Sequence, residues 1–162
     1  MPCRLLRSIW RNSEGSALVE GSIILPVLFI LVFGVFEFSW AICQQHLILT
    51  GISDAARYIA RSATPNDATI KKVAKNLATT GSVDGDTPRI RGWSADNIDI
   101  SYTFINNSTG DNGLTEFRGG RVIESVTVST TFTVPALGFF GILHLSPPIL
   151  NVSHQERIIG SG

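Results

Sequence analysis

Gly15, Ser16, Ala17, Leu18, Val19 and Glu20 follow one another at the mouth of an apolar run, with a carboxylate five positions after a glycine. Only Glu37 brings another charge into that run before Asp54. An ionised acid at the centre of a membrane-spanning helix costs roughly 2.5–3.5 kcal/mol on insertion scales, so such a residue is a functional hypothesis by default. A glycine, lacking a side chain, suits the position before a scissile bond, and cleavage after Gly15 would free Ser16 as a new amino terminus. Glu20 would lie about one helical turn along, placed to neutralise the terminal amine of a neighbouring molecule. Two charges that are each costly in lipid become tolerable when paired. A simpler reading stands beside this one: Glu20 occupies the first turn of a helix, where the macrodipole favours an anion.

The flanking charge agrees with a membrane segment. Arg4, Arg7 and Arg11 precede the run with only Glu14 against them, and the chain beyond residue 36 carries slightly more acid than base. By the positive-inside rule the N-terminus stays cytoplasmic and the remainder crosses the lipid bilayer. The 162 residues allow one small domain plus an anchor, and their net formal charge is zero. No basic cluster is long enough to follow a nucleic-acid backbone, so no nucleic-acid partner is expected. Cys3 and Cys43 provide no disulfide or metal framework.

Three further readings compete for the first 43 residues. A cleaved secretory signal needs a small-x-small site after a short apolar core, and none follows Phe36. A lipid-attachment site at Cys43 is disfavoured by the bulky Trp40 and Ile42 before it. A plain signal anchor fits the length, since a span needs about 20 mostly apolar residues, but leaves Gly15 and Glu20 unexplained. A prepilin-type processing site explains both. Pro26, Gly34 and Glu37 belong to the membrane helix on this reading. Pro26 should kink it, and Gly34 and Gly51 should loosen it. Glu37 is either an interfacial residue or a polar group used in packing, with the interface preferred.

Past the span the helix continues as an amphipathic one. Ile48, Ile52, Ala55 and Ile59 recur at helical spacing, and Thr50, Asp54, Arg57 and Arg61 form the polar stripe. Thr64 is the expected N-cap of a second helix, with Pro65 in its first turn and Gly81 at its end. Ile70, Val73, Ala74 and Leu77 are its apolar face, and Lys71, Lys72 and Lys75 a solvated one or, less simply, a binding patch. The period then changes to two. Residues 98–104 and 122–134 alternate as strands, with Glu124 expected near an exposed strand end, and 149–159 is strand-like. The apolar stretch 135–148 is too short to span. It is either a loop packed over the core or a surface for a partner, with Phe139, Phe140 and Leu143 the residues of that candidate patch.

The expected fold class is therefore α+β: a long N-terminal transmembrane, pilin-like helix, then a small periplasmic domain with a second helix and an antiparallel sheet. The corresponding boundaries are 1–15 for a leader, 16–62 for the long helix and 63–162 for the domain. No catalytic constellation is expected. His46, His144 and His154 are scattered, and neither Asp84-Gly85-Asp86 nor Asp111-Asn112-Gly113 offers a full calcium ligand series. No enzyme activity, cofactor, metal or small-molecule substrate is expected.

Gly15, Glu20, Pro26, Gly34 and the pair Glu37-Phe38, with Gln44-Gln45 and Asp54-Ala55-Ala56-Arg57 beyond the span, resemble the TadE-like pseudopilins of tight-adherence (Flp) pilus systems. Pro135-Ala136-Leu137 and Ser153-His154-Gln155-Glu156 resemble the family's closing segment more weakly. Two departures are visible: Gly21 stands where the family usually has phenylalanine, and Trp40 where arginine is common. The resemblance implies a minor pilin-like component in the bacterial inner membrane, cut by a prepilin peptidase and working with other Tad/Flp components and pseudopilins in pilus assembly and adherence. The alternative is an unprocessed, single-pass, membrane-anchored periplasmic module that binds another protein.

Overall fold

In the computed structural model, which describes residues 13–110, 113–142 and 144–159, the first element is the helix α1, Ser13–Ala60. Pro26 lies inside α1 without ending it. Proline has no N–H to give the carbonyl four residues back, so that carbonyl, of Ser22, loses its helical donor. The Ser22 hydroxyl meanwhile donates to the Val19 carbonyl at 2.7 Å. The chain divides into two units, Met1–Ser39 and Trp40–Gly162.

Within the first unit nearly every large apolar side chain of α1 is exposed, from Leu18 to Phe38. A helix that is apolar all round suits a lipid environment better than water. Among the described residues it is the one helix long and apolar enough to cross a membrane. Phe29 and Phe33 stack along it with ring centroids 6.2 Å apart.

The second unit has a conventional core. Ile48, Ile52, Ala55 and Ile59 of α1 are fully buried, as their spacing requires. Each buried isoleucine is worth about 1.5–3 kcal/mol in surface removed from water. Ala74 and Ala78 of the second helix, α2 (Ala68–Thr80), join the same cluster. Gly81 closes α2 at φ +80°, its N–H donating to Leu77 O at 2.9 Å, a left-handed cap that glycine adopts without strain. The N-terminus departs from the sequence expectation. Thr64 does not cap α2; Asp67 does, accepting from the Thr69 N–H at 2.6 Å. Residues 64–67 form a turn, with the Asp67 N–H on Thr64 O at 3.1 Å, so the helix starts later. The bond from Thr69 holds the Asp67 carboxyl below its usual range.

Three strands, β1 (Ile98–Asn106), β2 (Val122–Thr133) and β3 (Ile149–Arg157), form an antiparallel sheet in the order β1-β2-β3. The α+β expectation holds. The register sets Ile100 opposite Val128 and Val128 opposite His154. Because side chains alternate along a strand, Ile98, Ile100, Val126, Val128, Thr130, Phe132 and Val152 share one face. All but Thr130 lie in or against the apolar cluster with the helices. Ser101, Thr103, Thr127, Ser129, Thr131 and Ser153 have the opposite register, which gives the other face its polar character. Glu124 falls on the apolar register near the end of β2, opposite Phe104, and is half-buried.

Trp93 has no accessible surface and sits at the centre of this core. Its indole N–H donates to Thr130 Oγ1 at 3.2 Å, and the Thr130 hydroxyl donates onward to Asn97 O at 2.7 Å. A buried threonine on an apolar register is thereby satisfied as both donor and acceptor. Gly51, expected to loosen α1, instead makes its closest approach to α2. A Cβ there would lie against the Ala78 carbonyl and 3.0 Å from Trp93 Cη2.

Candidate assembly and processing segment

Gly15, Ser16 and Glu20 lie in the first turns of α1, with Pro26, Gly34 and Glu37 further along it. Gly15 is helical and exposed, and a Cβ added there would meet nothing within 4 Å. Nothing in the described structure therefore demands glycine for packing at this position. Glycine does weaken a helix by roughly 0.5–1 kcal/mol relative to alanine. Glycine at this position accordingly leaves the first turns of α1 easier to unwind. Residues 1–12 of the expected 1–15 leader lie outside the described residues.

Glu20 is exposed on α1 and forms no ion pair among the described residues. Gly21 and Gly34 also have open space where a Cβ would stand. Small residues of this kind allow a second helix to approach closely in lipid. Glu37 is different. It is buried, at 2% exposure.

The 135–148 stretch is split by its backbone. A short helix, α3 (Phe139–Ile142), turns Phe140 inward to 8% exposure and leaves Phe139 half-buried. Leu137, Ile142 and Leu145 carry its exposed apolar surface. Leu143 lies outside the described residues. The Trp40 indole N–H reaches Pro135 O at 3.0 Å and pins one end of the stretch to α1 within the second unit.

Further along α1, Arg57 meets Glu156 of β3 with Nε 3.4 Å from Oε1. The same carboxylate oxygen lies 3.0 Å from His154 Nε2. The His154 bond first, and Arg57 with it, hold the Glu156 carboxyl below its ordinary value of 4.5. Because the folded value is the lower one, the stability this cluster contributes is complete above the unfolded value and is lost as pH falls through the folded value. Glu156→Gln is therefore expected to lower the melting temperature at pH 7 by a margin that shrinks toward pH 3. A margin independent of pH would contradict the assignment.

Two organising residues gave no sequence signal of their function. Asn107 is buried at the base of the 107–121 loop; its amide donates to Phe117 O at 2.8 Å and Gly120 O at 3.0 Å, and its oxygen accepts from the Phe117 N–H. Arg89 reaches Asp54 with Nη2 3.1 Å from Oδ2. In the sequence, Asn107 is legible only as part of a polar loop.

Residues 15–57 match the family model described as TadE-like protein. That interval holds Gly15, Glu20, Pro26, Gly34, Glu37 and Arg57. No curated protein and no solved structure matches the chain.

Proposed function

We propose that this chain, TadE-like over residues 15–57 and so related to the Tad pilus, is a minor pseudopilin of a Flp/Tad pilus assembly and secretion system. Its α1 is the membrane anchor, set in the bacterial inner membrane with the N-terminus cytoplasmic and the second unit periplasmic. A prepilin peptidase cuts after Gly15. The free amine of Ser16 and the carboxylate of Glu20 then pair between neighbouring helices and fix their register, supporting pilus biogenesis and surface adherence. The partners are the peptidase, other pilus components and pseudopilins, and the bilayer. The chain is a protease substrate and not itself an enzyme, and its function needs no cofactor.

The observation that carries this reading is Glu20: one exposed carboxylate without an ion pair among the described residues, on a stretch of helix, residues 18–36, whose other large side chains are all apolar and exposed, about one turn from an unpacked glycine. Lipid makes that charge expensive and gives pairing its value. Glu20→Ala should leave membrane insertion intact while abolishing association with other pilus subunits and adherence. Normal assembly by Glu20→Ala would contradict the proposal.

A second reading is favoured by the exposed Leu137, Ile142 and Leu145. There the chain is an unprocessed, membrane-tethered module that captures another periplasmic protein. Glu20→Ala would then be harmless, while Leu137→Ser with Ile142→Ser would abolish capture.

A further inference from the structure

In the second unit, α1 and α2 border a groove of about 600 Å³ lined by Asp54, Arg57, Tyr58, Arg61, Ser62 and Leu77. We infer that this groove binds an acidic peptide segment of a partner protein through Arg57 and Arg61. The proposal goes beyond the N-terminal reading and does not depend on processing at Gly15.

The charges of the groove divide into those already committed and those left over. Asp54 is held by Arg89. Arg57 uses Nε on Glu156 at the long distance of 3.4 Å, and that carboxylate is shared with His154. The remaining N–H groups of the Arg57 guanidinium form no side-chain bond among the described residues. Arg61 is exposed, and its guanidinium has neither an ion pair nor a side-chain hydrogen bond among them. Arg57 in the last turn of α1 and Arg61 just past its end, whose N–H donates to Arg57 O at 3.2 Å, are like charges about one turn apart, an arrangement that costs a few tenths of a kcal/mol unless something compensates. The helix C-terminus offers partial compensation through the macrodipole. It does not account for the concave surface between them or for Leu77 in its wall.

A carboxylate does account for these features. Guanidinium presents a planar fork that matches the two carboxylate oxygens, and Tyr58 and Ser62 line the same groove. From Asp54 to Ala60 the lining runs about 9 Å along the helix, at 1.5 Å per residue, and continues past its end through Arg61 and Ser62. That is longer than a single small anion and suits a peptide presenting acids with an apolar residue beside them for Leu77. The formal charge of the groove and its ion-paired neighbours is small, with Arg57, Arg61 and Arg89 against Asp54 and Glu156. A polyphosphate backbone is bound by many unopposed cations, which this surface lacks.

The test uses the full chain in zwitterionic detergent micelles and a fluorescein-labelled decapeptide of alternating Glu and Leu. The peptide should bind, and the counterpart with Gln for Glu should not. Arg61→Glu should weaken binding about tenfold or more with an unchanged melting temperature, and Arg61→Lys should fall between. Equal binding of the Gln peptide, or affinity indifferent to Arg61→Glu, overturns the proposal. So does displacement of the peptide by inorganic phosphate at matched concentration, which marks a small-anion site. Arg61-dependent binding to phosphatidylglycerol vesicles without peptide binding overturns it in favour of lipid.

Discussion

Trp93→Ala is expected to destabilise the 40–162 unit by about 3–5 kcal/mol, as removing a large buried aromatic side chain does when its surroundings relax only in part. Trp93 has no accessible surface and belongs to the cluster that includes Ile52, Ala78 and Val128. Its removal opens a cavity between both helices and the sheet. It also deprives Thr130 Oγ1 of the donor at 3.2 Å. Trp93→Phe separates these effects: most of the volume is kept, the indole N–H is lost, and a cost of about 1–3 kcal/mol remains for the underbonded Thr130. Urea unfolding of the full chain in micelles measures both. Equal costs for the two variants would show that the hydrogen bond, not the volume, dominates.

Gly51→Ala is expected to cost about 3 kcal/mol, the upper part of the range for overpacking, even though alanine is the better helix former by about 1 kcal/mol. The methyl would meet the Ala78 carbonyl, which is backbone and cannot rotate away, and Trp93 Cη2 at 3.0 Å. Relief requires α1 and α2 to separate, which breaks contacts along the whole interface. Ala78→Gly in the same chain should not rescue it, because the obstacle is the carbonyl and not the Ala78 methyl. Unfolding free energies of Gly51→Ala and the double variant check this. A neutral or stabilising Gly51→Ala would mean the helices are not packed at this position. The contrast is Gly34→Ala, where a Cβ meets nothing within 4 Å and no such clash arises.

How legible the chain was depends on whether a feature is local. The buried face Ile48, Ile52, Ala55, Ile59 announces itself by its spacing, and the strands by their alternation of Val, Phe and Ile with Ser and Thr. Gly81 announces the end of α2 because a left-handed residue is needed there. Thr64 misled because the Pro65 signal marks a turn here, one that delivers Asp67 to the cap position. Trp93 was silent because its partner Thr130 lies 37 residues away. Gly51 read as a weak point of a helix, since nothing in the sequence shows that Ala78 will press against it. The TadE-like stretch was legible for the opposite reason: Gly15, Glu20 and Pro26 lie in one stretch of helix, and their spacing is the signal.

The proposed pairing of Ser16 with Glu20 requires that the bond between Gly15 and Ser16 be cut. Intact mass and N-terminal sequencing of the protein recovered from its native cells test this directly. The expected result is a chain beginning at Ser16 in wild type and an uncut chain in Gly15→Leu. Recovery of only the full-length wild-type chain from cells with an active prepilin peptidase would contradict it.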